Sequence, residues 1–392
     1  MHFENNLIHT KNFTKFFKYI SKLNKNGNTD SIKITNGELS EDPQLICEHF
    51  NTYFLSVFKP NSNNITFPSI SIQNEKIILS ETLILDSLKA LAKSKGCGAD
   101  NIPMIFWINT IRFIIKPVTL LFNKIANESF IPPIWKTSIV LPHFKGSGSQ
   151  SDVENYRPIS LLCTLSRIFE KCINTLISRQ IDGKLSCRQH GFTKSRSTVT
   201  NILDCYGYIY RQLDAKQAID LITIDFVKAF DSIDFKILIS KLNEHGISPL
   251  MQKLVYSLIT NRHQIIRYNG KSSNPASVGS GVPQGSTLSP LLFKIFIDDL
   301  LDRHFNGMIS CYADDLKVYG IPGAHLQNDL DTILSWSKTN KLSINGKKCE
   351  VLHLGKTNLK YGYSINNNFL NAKSSIRDLG IQIDENLTFL PH

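Results

Sequence analysis

The run "SCYADDLKVYG", Ser310 to Gly320, sets two adjacent carboxylates, Asp314 and Asp315, between two segments that read as strands. Charges of one sign placed side by side repel, so either the pair caps a tight turn facing water or a cation is bound there. If the pair tips a hairpin between "MISCY" and "LKVYG", both aspartates project from one end of a sheet. A second strand, "LITID", ends at Asp225 and is followed by a break, "FVKAFDSID", before its helix. Carboxylates on two strand ends raise one another's pKa unless cations neutralise them. Hard oxygen ligands suit magnesium, which takes one or two carboxylates together with substrate phosphates. The arrangement suits two-metal phosphoryl transfer. Taken singly, each feature also reads as an exposed turn or a helix start. In "FIDDLL", Asp298 and Asp299 fall on a helical pattern and are expected to form an ordinary solvated face.

The segment between the two strand ends shifts the balance. In "GSGVPQGSTLSPLLF" the glycines Gly279, Gly281 and Gly285 let backbone approach a flat or charged ligand, and Pro283 stiffens the turn. Ser289-Pro290 then helps start a helix. Such a loop can form one wall of a nucleotide pocket.

At 392 residues the chain exceeds one typical domain, which predicts two or three packed units. Hydrophobic residues make up 42% and charged residues 20%, ordinary values that argue against a disordered chain. Lys and Arg outnumber Asp and Glu by 44 to 33, giving a net charge of +11, which favours a polyanionic partner. The eight cysteines, Cys47, Cys97, Cys163, Cys172, Cys187, Cys205, Cys311 and Cys349, include no C-x-x-C pair and no His at zinc-finger spacing. They are expected to be reduced and mostly buried. The start, "MHFENNLIHTKNF", is too polar for a signal peptide, so cytoplasm and nucleus are the expected locations. The apolar window Met104 to Phe122 is interrupted by Arg112, Lys116 and Pro117, and is expected to be a core helix with no membrane contact.

Along the chain, residues 1–76 are expected to form a helical arm and linker. "FTKFFKYISKL" reads as a basic helix, "DPQLICEHFNTYFLSVF" as an amphipathic one capped by Asp42 with Pro43 in its first turn, and the stretch from Lys59 to Lys76 as the linker. Residues 77–217 are expected to be a largely helical region with basic loops, in which "WKTSIVLPHFK" alternates like a strand and runs into a flexible tip, "GSGSQSD". Residues 218–392 then carry the carboxylates. "AIDLITIDF" is a buried strand there, and "DFKILISKLNEHG" is a helix ended by Gly246. The helix after that takes Ser248 as its cap, and Asn269-Gly270 announces a hairpin.

Together, "TIDFVKAFDSID", "GVPQGSTLSPLLFKIFIDDL" and "YADD" resemble, in order and spacing, the palm motifs of reverse transcriptases of non-LTR (LINE-like) retrotransposons. "WKTSIVLPHFKGSGSQSDVENYRPISLL" and "QHGFTKSRST" upstream match as well, as do "WSKTNKLSINGKKCEVLHLG" and "IRDLGIQIDENLTF" downstream, so the likeness runs from about Trp135 to Phe389. It implies an α+β fold: a right-hand polymerase with a small antiparallel palm sheet backed by helices, and fingers before it. It also implies RNA-directed DNA polymerase activity with two Mg2+ ions, Mn2+ serving as well, and as partners an RNA template, a DNA primer and dNTPs.

By the same likeness, Asp225, Asp314 and Asp315 would be catalytic metal ligands, helped by the backbone carbonyl of Phe226. Phe230 would exclude a ribose 2'-hydroxyl. Gln284 and Gly285 would line the incoming nucleotide and template. Lys145 and Arg157 would hold the triphosphate, and Lys348 would give a proton to pyrophosphate. Lys194 and Arg196 would touch template phosphates, with Phe192 packed beneath them. Such elements carry an endonuclease before this region and a helical thumb after it, so the thumb is expected to be absent or truncated. The alternatives are a catalytically inactive RNA-binding remnant, and an RNA-dependent RNA polymerase or intron maturase.

Overall fold

The alternation in "LITID" and "LKVYG" is realised as two neighbouring strands at the centre of a five-stranded sheet. The computed structural model describes residues 31–34, 37–58, 75–92 and 96–388. The expected "FTKFFKYISKL" helix and all but the end of the linker lie outside the described residues. Within them the helices are α1 (Pro43–Leu55), α2 (Glu81–Leu91), α3 (Met104–Glu128), α4 (Thr164–Gln180), α5 (Thr198–Asp214), α6 (Phe235–Glu244), α7 (Pro249–Ile259), α8 (Ser289–Leu301) and α9 (Ala324–Thr339).

The central sheet runs β14 (Asn371–Lys373), β11 (Glu350–Leu354), β5 (Ile219–Ile224), β10 (Asp315–Gly320), β9 (Met308–Tyr312). Its pairings are antiparallel apart from β11 with β14. The middle strand β5 is covered on both faces, which explains why four of its six residues are Ile or Leu. One face, with Ile222, Ile224, Leu316 and Val318, joins the main core beneath α6, α7, α8 and α9. The other face, with Leu221, Tyr319 and Leu352, packs on Cys205, Tyr206 and Ile209 of α5. Ile376 and Ile383 of a hairpin, β15 (Ser375–Asp378) and β16 (Ile381–Asp384), complete this second cluster.

A second sheet has the order β4 (Tyr156–Leu161), β3 (Thr137–Phe144), β6 (Arg262–Tyr268), β7 (Lys271–Ser272), with β8 (Ala276–Val278) also paired to β6. Its β3–β6 pairing is parallel and joins residues more than a hundred positions apart, so the segment after the central strand β5 returns to complete the earlier region. Asn269 and Gly270, at φ 44° and 80°, make the tight turn between β6 and β7 that their dipeptide announced. Helix α1 has Asp42 as its N-cap, accepting from the Gln44 amide. The helix lays Ile46, Phe50 and Phe54 against Val140, Tyr156 and Ile266 of this sheet. Two small antiparallel pairs remain, β1 (Ile32–Lys33) with β2 (Leu39–Ser40) and β12 (Ser364–Ile365) with β13 (Asn368–Phe369). The architecture is α+β, and the described cysteines are free and mostly buried.

Two expectations need correction. Asp298 and Asp299 are not a solvated face: Asp298 is 2% exposed and accepts from the Ser186 amide at 2.8 Å. Asp299 accepts from Lys241 Nζ and from Trp336 Nε1, tying α8 to α6 and α9. The helical period hides this because both flanks of α8 are packed. The window from Met104 is a core helix on one side only. Val118, Phe122 and Ile125 reach the core, whereas Phe113 and Leu120 are 87% and 73% exposed. By length and composition alone α3 could cross a membrane.

Behind the "YADD" hairpin, Lys317 Nζ donates to both oxygens of Asp378 at 2.9 and 2.7 Å, with the two side chains only 2% and 4% exposed. This pair pins the β15–β16 hairpin to the strand that carries Asp315. Lys317→Met strands a buried carboxylate and is expected to cost about 3–5 kcal/mol. Adding Asp378→Leu should restore most of that loss, and urea unfolding of the two variants checks both values.

Candidate active site

Leu316 pairs with Ile224 across β5 and β10, so the next residue of each strand, Asp315 and Asp225, emerges at the same sheet end. The hairpin closes immediately above: Asp315 pairs with Tyr312, and Ala313 takes the left-handed conformation at φ 57°. The end of β5 is fixed from the other side. Asn345 N–H donates to the Asp225 carbonyl at 2.8 Å, Val227 N–H donates to Ser343 at 2.8 Å, and Phe226 bridges Ile344. That brings the "SINGKK" turn alongside, with Lys348 Nζ at 3.8 Å from Asp225 Oδ2.

The electrostatics follow from this crowding. Burial and then the negative charge of Asp225 hold the Asp314 carboxyl above its ordinary range, while Arg157 and Lys348 oppose the rise. Burial, then Asp314 and Asp225, push Asp315 up to about 6. Because the Asp315 side chain reaches solvent, repulsion is the sturdier of those causes. Among the described residues no three His, Cys, Asp or Glu side chains converge closely enough to form a ready-made metal cage. The donor set nevertheless fits hard divalent cations. The charge on Asp314 is offset in part by the guanidinium of Arg157 and the ammonium of Lys348, which lies 3.8 Å from Asp225, so these two groups act as stand-in cations.

In front of the sheet end lies a cleft of about 680 Å³. Of the site residues expected from sequence, Asp225, Phe226, Asp314, Lys145, Arg157, Phe230, Gln284, Gly285 and Lys348 all line it. Asp315 sits beside it on the strand. Burial, then the charges of Lys228, Lys348 and Arg157, lower the Lys145 pKa. The same mutual repulsion among cations acts on Lys228, itself depressed chiefly by burial. Phe230 stacks on Phe293 with centroids 4.6 Å apart and meets Phe192 edge-on at 6.3 Å.

The "PQG" loop is seated on β4: Ser160 N–H donates to the Gln284 carbonyl at 2.8 Å. Gly285, at φ 132°, lies so close that a Cβ there would come within 2.2 Å of the Ser160 carbonyl oxygen. No other residue fits without moving the loop.

The remaining two expected residues lie apart from the cleft lining. Lys194 is exposed, while the Arg196 guanidinium donates to His190 Nε2 at 2.8 Å and lies 3.7 Å from Asp204. Phe192 does not pack beneath them. It is 55% exposed at φ 56° and turns toward the cleft and Phe230, because the loop's left-handed turn flips it outward.

Sequence reading missed two functional candidates. Lys228, at φ 46°, adds a fourth cation to the cleft. Asp231 is 6% exposed and accepts from Gln284 Nε2 at 3.1 and 2.9 Å through its two oxygens. A carboxylate that accepts from the amide nitrogen turns the amide oxygen away, toward the cleft. The backbone of Asp231 is clasped by the glycine loop: Ser280 Oγ donates to its carbonyl at 2.8 Å, and a Cβ on Gly281 would come within 2.5 Å of its Cα. The only signal in the sequence was "KAFDSID", where Asp231 directly follows Phe230 and so shares its segment.

Burial pushes Asp231 up to about 6, against the Gln284 hydrogen bonds and Lys228, which lower it, with Asp314 adding to the rise. The folded chain therefore keeps this proton between about pH 4 and 6, where the unfolded chain has released it. Stability from this group is present at low pH and lost as pH rises through that window, by roughly 3 kcal/mol in all. Unfolding of Asp231→Asn and the unaltered chain across pH 4 to 7 should show the variant gaining relative stability toward pH 6. Parallel curves would remove the buried carboxyl from this account.

Comparison with known proteins adds the family. Residues 145–383 match the model of the family described as reverse transcriptase (RNA-dependent DNA polymerase). The chain is 29% identical over 332 residues to a probable RNA-directed DNA polymerase from transposon BS of Drosophila melanogaster, covering 79% of this chain and 36% of that protein. It is 26% identical over 372 residues to the RNA-directed DNA polymerase from mobile element jockey of the same species, covering 89% and 38%. The chain thus spans little more than a third of the length of these relatives. Among solved structures, apo telomerase from Candida tropicalis, truncated from its C-terminal domain, aligns with a TM-score of 0.46 at 11% identity, over 66% of this chain and 55% of that one. With the matched segment spanning the whole central sheet and every cleft-lining residue named above, the chain belongs to the reverse transcriptase (RNA-dependent DNA polymerase) family.

Proposed function

We propose that this chain copies RNA into DNA. The 3'-hydroxyl of a primer attacks the α-phosphorus of a dNTP paired to the template. The bond from that phosphorus to the bridging oxygen of the β-phosphate breaks, and pyrophosphate leaves. The observation that carries this reading is a single cleft with Asp225 and Asp314 at the sheet end and Lys145, Arg157, Lys228 and Lys348 around them. Four cations that repel one another when the cleft holds no anion become mutually compatible around a triphosphate.

In this reading Arg157 and Lys145 hold the triphosphate, and Lys228 shares its charge. Lys348 stands between the carboxylates and the departing pyrophosphate, to which it gives a proton. Gln284 and Gly285 flank the nucleotide and template, with Asp231 fixing which end of the Gln284 amide faces them. Phe230, backed by Phe293, fills the space a ribose 2'-hydroxyl would need. Asp225, Asp314, Asp315 and the Phe226 carbonyl would hold two Mg2+ ions, which when bound lower the pKa of the attacking hydroxyl and stabilise the leaving oxygen. Lys194 is free to reach a template phosphate, whereas Arg196 must share its guanidinium with His190 and Asp204. The sheet bearing the carboxylates acts as palm, and the sheet of β3, β4 and β6 with its basic loops acts as fingers.

Primer extension on poly(rA)/oligo(dT) with dTTP and magnesium tests the proposal directly. No extension together with salt-sensitive RNA binding would instead identify an inactive RNA-binding remnant. Asp314→Asn should cut extension by a factor on the order of a thousand or more while leaving nucleic-acid affinity nearly unchanged. Phe230→Ala should relax discrimination against ribonucleotides by at least about tenfold, read as the ratio of kcat/KM for dTTP and UTP. An unchanged ratio would rule Phe230 out as the sugar gate.

A further inference from the structure

Asp220 is the second residue of β5, the strand that leads into Asp225, and it is 0% exposed. Its oxygens accept from His353 Nδ1 at 2.7 Å, Asn358 Nδ2 at 2.8 Å and the Tyr363 hydroxyl at 2.7 Å. In the bond to His353 the Asp220 oxygen is the acceptor and Nδ1 the donor. The other ring nitrogen, Nε2, has no hydrogen-bond partner among the described residues. Its side chain is 8% exposed and borders a cleft of about 670 Å³. This cleft lies at the pole of the sheet opposite the carboxylate site, roughly 16 Å away along five residues of one strand.

The walls of the cleft come from three separate turns: Lys216 after α5, the Gly355–Lys360 segment after β11, and Glu385 to Leu387 after β16. Lys216, Lys356 and Lys360 line it against a single acidic side chain, Glu385. Two of these lysines are held in the left-handed conformation, Lys216 at φ 61° and Lys360 at φ 51°. The site therefore combines cations at its rim with an oriented, nearly buried imidazole nitrogen at its wall. Phosphates suit the lysines as point charges. A ribose 2'-hydroxyl, which DNA lacks and which can both donate and accept, suits Nε2 of the imidazole.

We propose that this second cleft binds a single strand of RNA, its phosphodiesters against Lys216, Lys356 and Lys360 and a 2'-hydroxyl hydrogen-bonded to His353 Nε2. Asp220 is the positioning residue that holds the ring in this orientation. The cleft would hold RNA away from the carboxylate site, and the RNA partner itself rests on the polymerase reading.

Anisotropy with a short labelled single-stranded RNA and the DNA of the same sequence tests this without dNTP, so the two proposals fail separately. Lys356→Glu with Lys360→Glu, both exposed positions, should raise the Kd for RNA about tenfold and flatten the slope of log K against log salt by roughly two. Extension of a short hairpin template should remain at the unaltered rate. His353→Ala should narrow the preference for RNA over DNA. Because that variant strands Asp220, chemical acetylation of the unaltered protein supplies the second readout: RNA should shield Lys356 and Lys360. Unchanged affinity and slope in the double variant overturn the proposal. So does equal shielding by ATP or pyrophosphate, which would make a free phosphate compound the occupant.

Discussion

Leu316 pairs with Ile224, and the position of nearly every functional side chain follows from that one register. Side chains alternate along a strand, so a slip of one residue would turn Asp315 and Lys317 into the main core and Leu316 and Val318 out of it. The cost of burying those charges among Ile222, Ile224 and the α8 side chains fixes the register. The same alternation puts Asp315 and Lys317 on one face, where Lys317 finds Asp378. Function and stability are written on alternate residues of a single strand.

The cleft sets two groups of like charge against each other. Asp314 and Asp315 are pushed up and Lys145 and Lys228 pushed down, each pair by burial and by repulsion from its own kind. An arrangement of that sort is costly in the free protein, because neither set is fully neutralised by the other. The cost is tolerated where bound anions and cations remove it, which is why perturbed groups gather at functional sites. The apolar wall of Phe230, Phe293 and Phe192 sharpens the effect by keeping water from one side of the cleft.

Much of this was legible in the sequence because it was local. "YADD" between two short strands, Asn269-Gly270, Ser248-Pro249 and Asp42-Pro43 each specify their turn or cap through the conformations those residues favour. What escaped was set by contacts between distant segments. Asp298 and Asp299 repeat the dipeptide of the hairpin tip, and nothing near them in the chain reveals that Ser186, Lys241 and Trp336 await them. The α3 window has the composition of a core helix, yet only the Val118, Phe122 and Ile125 side meets one. Phe192 was misplaced for a smaller reason: a left-handed residue inside a loop reverses the side chain, and no propensity marks it.

Asp231 shows why a motif conceals part of its own chemistry. Beside Asp225 it looks like one more acidic residue in a run of three, and its neighbours suggest a helix start. Burial separates the roles. Asp225 reaches the cleft and faces Lys348, whereas Asp231 is enclosed by the glycine loop and spends both oxygens on Gln284. An enclosed carboxyl acts through what it orients: the Gln284 amide has two chemically opposite ends, and the fixed acceptor beneath it takes the nitrogen end. The glycines at 281 and 285 serve the same end, since each permits a backbone approach that any side chain would block. The "VPQGS" loop is therefore better understood as the lid of Asp231 than as a flexible connection, and its rigidity holds the Gln284 amide in one orientation.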